Sequence, residues 1–271
     1  MTALSISKAW EETSDVLARD GRLIGAVALA AVLLPQAIAG VVAPPPNLSG
    51  EAPPSWMPVL TTIVALAGLV GQIAVMRLAL GPATSVGEAI THGLKRLLPA
   101  FGAILLFVIP LVIVLSIVLA ATTGPAKLEA MMAGGAPDPA IARIILIFVL
   151  VVFAAWVPFQ MILPVATVED GGPLRIIRRS WTLSAGNYWR LLGFLALVGV
   201  VALVVLLTAQ IVGGLFAQAV FGEAKPFSVS ALLVALMVGV VQTAVVVIVA
   251  TMTARIYVQL AGGRTGAKSG T

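Results

Sequence analysis

The segment Ala89–Phe107, AITHGLKRLLPAFGAILLF, changes from an amphipathic helical pattern into a long apolar run. The segment Ile176–Leu197, IIRRSWTLSAGNYWRLLGFLAL, has the same rhythm, and a third such change occurs near the start of the chain. The amphipathic stretches begin near Ser5, Ser85 and Pro173, and each is followed by two apolar runs. An apolar run of about 20 residues crosses the hydrocarbon core of a membrane as a helix. The chain is therefore predicted to be an all-α, polytopic membrane protein of six transmembrane helices in three units, each an amphipathic helix plus two spans.

Composition and hydropathy support this class. Charged residues make up 10% of the chain, whereas soluble domains contain about 25%. The apolar runs are continuous rather than alternating, which argues against a β-barrel. They are Leu23–Val42, Pro58–Leu80, Phe101–Ala121, Ala140–Ala166, Leu191–Ala219 and Val229–Val258. We expect one membrane domain over 1–271, with units at about 1–81, 82–171 and 172–262 and a disordered tail over 263–271.

The distribution of basic residues predicts the orientation. If both termini lie on one side with the 77–100 and 167–190 connections, that side holds thirteen of the 16 Lys and Arg residues, and the other holds three. Cytoplasmic loops of membrane proteins carry such an excess. We therefore expect a multi-pass protein of a bacterial cytoplasmic (inner) membrane with both termini in the cytoplasm. The net charge of +5 then reflects topology, so no nucleic-acid partner is expected.

Each amphipathic stretch is expected to lie in the membrane interface, with its apolar face down and its basic face among the lipid head groups. Gly21 is predicted to end the first helix. Ser85 and Glu88 fit a capping box at the start of the second. Pro173 suits the first turn of the third, which should end at Gly186 or Asn187. Because each unit crosses the membrane twice, the three copies share one orientation and suit a threefold axis along the membrane normal.

The sequence contains no recognisable catalytic constellation. There is no cysteine and a single histidine, His92, which excludes thiol chemistry and a multi-histidine metal site. None of the six runs carries an acidic residue near its centre, so proton coupling through a membrane carboxylate is disfavoured. We expect a protein that is not an enzyme and has no cofactor or bound metal. A membrane-embedded enzyme, with residues that converge only in the fold, is the weakest alternative.

Polar groups within the spans are mostly amides and hydroxyls. Gln72, Gln160 and Gln242 each lie in a helix that returns to the side of the termini. Such amides either form interhelical hydrogen bonds, worth about 0.6 kcal/mol each, or line a polar cavity. Pro158 and Pro164 should bend the fourth span, because proline cannot donate the helical hydrogen bond. These features support a small permease or channel for a lipid-like or amphipathic solute.

The densest polar cluster is Val168–Arg190, VEDGGPLRIIRRSWTLSAGNYWR. Glu169 and Asp170 precede the third amphipathic helix and are expected to pair with Arg178 or Arg179. One interpretation is that these groups lock the helix in place. The other is that three arginines bind a lipid phosphate; these are Arg175, Arg178 and Arg179. Membrane lipids, including anionic ones, are the expected partners, and a protein partner stays unspecified.

This cluster resembles part of the six-helix membrane domain found beside bacterial glycerophosphodiester phosphodiesterases, and related stand-alone inner-membrane proteins. The matching positions are Glu169, Ile177, Ser180, Trp181, Gly186 and Trp189. The resemblance implies the layout of amphipathic helices and paired spans over most of the chain. It does not imply phosphodiesterase activity, which in that family resides in a separate soluble barrel with histidine and carboxylate metal ligands. The favoured hypothesis is a non-enzymatic membrane protein that supports envelope or lipid homeostasis through lipid or partner binding.

Overall fold

A computed structural model describes residues 4–42, 55–81, 85–124, 138–222 and 226–268. These residues are almost entirely helical and contain no β-strand. A π-helical turn, Leu29–Leu33, joins the first two helices. The helices are α1 (Ile6–Ala28), α2 (Leu34–Val42), α3 (Met57–Leu80), α4 (Val86–Thr122), α5 (Pro139–Phe159), α6 (Ile162–Val168), α7 (Pro173–Ser184), α8 (Tyr188–Phe221) and α9 (Val229–Lys268).

Six helical segments in the described part of the chain are long and apolar enough to cross a membrane. We call them spans 1 to 6 in chain order. They are Ile6–Val42, Met57–Leu80, Val86–Thr122, Pro139–Val168, Tyr188–Phe221 and Val229–Gly262. The prediction of an all-α, six-span membrane protein is confirmed. The predicted unit boundaries stay a prediction, and α9 continues to Lys268, past the predicted start of the tail at 263.

The first two amphipathic stretches are not separate helices. The prediction that Gly21 ends the first is wrong, because α1 continues through it to Ala28. A Cβ placed on Gly21 would meet nothing within 4 Å, so neither packing nor a left-handed turn acts there. The capping box of the second stretch is confirmed: Ser85 Oγ accepts from the Glu88 N–H at 3.2 Å, and Glu88 Oε2 accepts from the Ser85 N–H at 3.1 Å. From that cap, α4 continues without a break to Thr122.

The even-numbered spans form the interior of the bundle. Spans 2, 4 and 6 contact one another, and each odd span packs in a groove between two of them. Span 1 lies between spans 6 and 2, span 3 between spans 2 and 4, and span 5 between spans 4 and 6. Three units repeated around an axis along the membrane normal would give this pattern of contacts.

The buried core is most extensive at the end of the bundle where Leu4 and Leu260 lie. We call this end the terminal face. The Leu4 N–H donates to Asn187 Oδ1 at 3.2 Å, and the Ser5 N–H donates to Gln259 Oε1 at 3.1 Å. Towards the opposite end, spans 1 and 6 stay in contact, since the Phe227 N–H donates to the Val41 carbonyl at 2.9 Å, whereas α5 exposes apolar side chains such as Ile147, 62% exposed. Those side chains suit contact with lipid.

Candidate functional site

The fourth span, which its prolines were expected to bend, is interrupted at Gln160 and Met161, between Pro158 and Pro164. Helix α5 ends at Phe159 and α6 begins at Ile162, so Gln160 lies in the break. Pro158 has no N–H to donate to the carbonyl of Ala154, which therefore loses its helical partner. The hydroxyl of Tyr188 donates to that carbonyl at 3.0 Å instead. The start of α8 thus replaces a hydrogen bond that the proline removes.

A cavity of about 210 Å³ lies beside this break, and we call it the central cavity. Two of the three predicted glutamines line it, Gln72 from α3 and Gln160. The Gln160 Nε2 donates to the Leu191 carbonyl at 3.3 Å, while its Oε1 is buried without a partner in the described residues. Gln72 is half-buried, and no described residue hydrogen-bonds to its amide. Both the oxygen and the nitrogen of the Gln72 amide are therefore free, whereas only the oxygen of the Gln160 amide is.

The rest of the cavity wall is apolar and aromatic. Phe107 of α4 stacks on Phe159 with ring centroids 3.5 Å apart, and its centroid lies 5.8 Å from that of Trp156. Trp156 is 39% exposed, so the cavity reaches the surface of the bundle there. No Asp, Glu, Lys, Arg or His is among the described residues that line it. The central cavity is amphipathic and uncharged.

The third glutamine, Gln242, does not reach the central cavity. It lines a separate cavity of about 160 Å³ together with Gln36 and Gln210, from spans 1 and 5. The Gln36 Oε1 is buried and has no partner in the part of the chain that the structure describes. The predicted trio is therefore divided between two cavities.

The second cluster centres on Glu169, at the end of α6. Its Oε1 accepts a hydrogen bond from the Arg179 Nε at 2.8 Å and another from the Tyr257 hydroxyl at 3.0 Å. Arg96 of α4 also donates to the Glu169 carbonyl at 3.5 Å. The predicted pairing of the acidic pair with Arg179 is thus found for Glu169. Glu169 thus links α6 to α4, α7 and α9. This agrees with the interpretation that the acidic and basic groups hold the third amphipathic helix in place.

Asp170 has a different partner from the predicted one. Its carboxylate pairs with Arg96 rather than with Arg178 or Arg179. Nearby, His92 Nε2 lies 2.8 Å from the Thr167 carbonyl oxygen. Both contacts tie α4 to the end of α6. The single histidine therefore bridges α4 and the end of α6.

The three predicted phosphate-binding arginines are not equivalent. Arg179 is half-buried and paired with Glu169, whereas Arg175 and Arg178 are exposed and have no partner in the described residues. Leu174 and Trp181 are 73% and 58% exposed. At about 100° per residue, they lie about 20° apart on α7, with Arg178 about 40° and Arg175 about 100° from Leu174. The exposed face of α7 thus runs from apolar to cationic.

Helix α7 packs on the bundle through its other side, where Ile176, Ser180 and Leu183 are buried. Helical period alone aligns Leu174, Ile177 and Trp181 in one apolar stripe, but Leu174 and Trp181 are exposed and only Ile177 packs against the core. One position of the family resemblance, Ser180, belongs to this buried stripe. Its Oγ is buried and has no partner among described residues. Of the other motif positions, Gly186 lies in the turn between α7 and α8, and Trp189 is 79% exposed.

Three residues of these clusters were missed by sequence reasoning. The role of Tyr188 could have been anticipated, because Pro158 leaves a carbonyl that needs a donor. Arg96 and Tyr257 carry no local signal, since their partners lie 74 and 88 residues away in the chain.

No curated protein and no solved structure matches this chain. One family matches residues 4–260, which is nearly the whole chain and includes both clusters. The chain therefore belongs to the family described as Domain of unknown function (DUF7847).

Proposed function

We propose that this protein is a non-enzymatic membrane protein that binds anionic lipids at its terminal face and thereby supports envelope or lipid homeostasis. The observation that carries this proposal is the exposed face of α7, where Arg175 and Arg178 have no partner in the described residues and lie beside Leu174 and Trp181. A tryptophan suits the boundary between hydrocarbon and head groups. An arginine at that depth meets lipid phosphates, which it binds through two parallel hydrogen bonds.

The contribution of each arginine follows from its surroundings. A basic side chain near an anionic membrane surface contributes about 1 kcal/mol of attraction. Arg175 and Arg178 are free to contribute in this way. Arg179 is already held by Glu169, so its role is to position α7. We therefore assign the lipid contact to two of the three arginines.

The proposed setting is a bacterial cytoplasmic membrane with both termini in the cytoplasm. The thirteen-to-three division of the 16 basic residues supports this orientation. We also propose that the chain is related to the membrane domain found beside glycerophosphodiester phosphodiesterases. This relationship adds a link to lipid chemistry but no hydrolytic activity.

Lipid retention in the purified protein tests this function. Protein in nanodiscs that mix phosphatidylglycerol and phosphatidylcholine should enrich phosphatidylglycerol, measured by native mass spectrometry. Arg178→Gln should reduce that enrichment more than tenfold, because it removes about 1 kcal/mol of surface attraction and also the hydrogen bonds to phosphate, worth about 1.5–3 kcal/mol. Arg22→Gln is the matched control: Arg22 is another exposed arginine with no described partner, so this variant should lose only the surface attraction, about fivefold. Equal losses in both variants, or no enrichment in the parent protein, would contradict the proposal.

A second candidate function is a small permease for a lipid-like or amphipathic solute. The broken fourth span favours it, because such breaks in transporters expose polar groups to a substrate. In this chain the break brings Gln160 to the same cavity as Gln72. Flux of the solute through proteoliposomes should be abolished by Gln160→Leu. Undiminished flux in that variant would exclude this route.

A further inference from the structure

We propose that the central cavity binds the uncharged, hydroxyl-bearing end of an amphiphile, whose hydrocarbon chain leaves past Trp156 into the bilayer. This inference deepens the second candidate function and rests on it for the physiological role. The binding itself can be measured without transport. Gln72 is the residue that would recognise the hydroxyl group.

The free amide of Gln72 calls for a ligand that both donates and accepts hydrogen bonds. Gln72 lies eight residues before the end of α3 at Leu80, about 12 Å from the terminal face. An amide in a largely apolar cavity favours a ligand that supplies the hydrogen bonds it would otherwise make with water. A hydroxyl accepts from the amide nitrogen and donates to the amide oxygen. One or two hydroxyls therefore match what Gln72 offers.

The lack of charged side chains among the described residues of the cavity wall argues against ionised ligands. None of the described residues that line the cavity is acidic, basic or a histidine. Burial of an unpaired charge in such surroundings costs far more than one hydrogen bond returns. Fatty acids and phospholipid phosphates therefore belong elsewhere, and the cationic face of α7 suits the phosphates. The two sites select different classes of lipid.

The size and opening of the cavity fit the end of an amphiphile rather than a whole lipid. Its volume of about 210 Å³ equals that of about seven water molecules at about 30 Å³ each. Trp156 precedes Gln160 by four residues, which is about 6 Å along a helix. Trp156 is 39% exposed, and α5 packs only loosely on α4 and α8. A chain that leaves at Trp156 enters hydrocarbon directly, without crossing a polar layer.

Fluorescence of Trp156 gives a direct test, because this ring lines the cavity. The chain has five tryptophans, so the parent variant replaces Trp10, Trp56, Trp181 and Trp189 by Phe. This variant is placed in phosphatidylcholine nanodiscs and titrated with a monoacylglycerol brominated in its chain. Saturable quenching is the expected result. A fatty acid with the same brominated chain should give only weak, non-saturating quenching from partition into the bilayer.

The matched variants locate the contact. Gln72→Leu should weaken monoacylglycerol binding about tenfold, the loss expected for one hydrogen bond in an apolar site. Gln72→Asn keeps an amide and should retain part of the affinity, which guards against a general loss of folding. Gln242→Leu should leave binding unchanged, since Gln242 lines the other cavity.

Two outcomes would overturn the inference. One is quenching that never saturates or is the same in Gln72→Leu. The other is equally tight binding of the brominated fatty acid. Binding that depends on Gln72 in a protein without flux would uphold the inference and remove only the permease function. Flux without binding that depends on Gln72 would uphold the permease function and overturn the inference.

Discussion

The Nε atom of Arg179 donates a hydrogen bond to Oε1 of Glu169 at 2.8 Å. The two side chains are 34% and 24% exposed, and the same carboxylate oxygen also accepts from Tyr257. An arginine that looks like a phosphate ligand in the sequence is thus part of the scaffold. The neighbouring Arg178 has the same side chain but is exposed. We therefore expect Arg179 to contribute to stability and Arg178 to contribute to lipid binding.

Arg179→Ala should lower the free energy of unfolding by about 1.5–3 kcal/mol, the usual contribution of a hydrogen bond to a charged group. Arg178→Ala should change it by less than about 0.5 kcal/mol, because an exposed side chain without a partner does little for stability. Denaturant unfolding in detergent micelles measures both. Equal destabilisation by the two variants would show that the hydrogen bond from Arg179 to Glu169 does not stabilise the protein.

Tyr188→Phe should destabilise the protein by about 1–3 kcal/mol, because the carbonyl of Ala154 loses the hydroxyl that replaced its helical donor. Pro158→Ala restores an N–H at the position that normally serves this carbonyl. In the Pro158→Ala background, Tyr188→Phe should therefore cost clearly less. Thermal unfolding of the four proteins forms a double-mutant cycle. A coupling energy near zero would show that the two groups do not act on the same carbonyl.

Gly93→Ala should destabilise the contact between α3 and α4. A Cβ at this position would lie 2.7 Å from the carbonyl oxygen of Val70, which belongs to the backbone and cannot rotate away. Such overpacking costs about 1–3 kcal/mol. Gly87→Ala is the control on the same helix, since a Cβ there meets nothing within 4 Å. The control should be neutral or up to about 1 kcal/mol stabilising, as alanine is the better helix former. A Tm for Gly93→Ala at or above that of the control would refute this account.

The orientation can be tested by labelling single cysteines, because the natural chain has none. Asp15 and Gly124 are both exposed, and they lie at opposite ends of the bundle. In intact cells, a membrane-impermeant maleimide should label Gly124→Cys but not Asp15→Cys. Inverted membrane vesicles should give the opposite result. The same labelling pattern for both sites would contradict the proposed six-span topology, and a reversed pattern would place the termini outside.

Local patterns in the sequence predict much of the fold correctly. The six spans follow from the length of the apolar runs, because a helix must satisfy its backbone within hydrocarbon. The cap at Ser85 and the pairing of Glu169 with Arg179 involve residues that are close in the chain. Gly21 shows where a local rule fails: glycine disfavours a helix only modestly, and continuity with a membrane span outweighs that cost.

The grouping of polar residues could not be predicted, because it depends on how each helix is rotated. Gln72 and Gln160 meet in one cavity while Gln242 lies in another, although all three sit in returning helices. Asp170 pairs with Arg96 across 74 residues of sequence. Helical period gives the angles between residues of one helix but not the angle between two helices. These contacts therefore required the structure.

The placement of every second helix in the interior has a consequence for biosynthesis. Span 6 is made last, yet it packs against spans 1, 2 and 5 and completes the ring of inner helices. Ile73 of span 2, fully buried in the finished bundle, shares a core cluster with Ile256 of span 6, which the ribosome adds about 180 residues later. The earlier spans therefore enter the membrane with an unfinished surface, and a nascent chain that loses its last helix would present that surface to the quality-control proteases of the membrane.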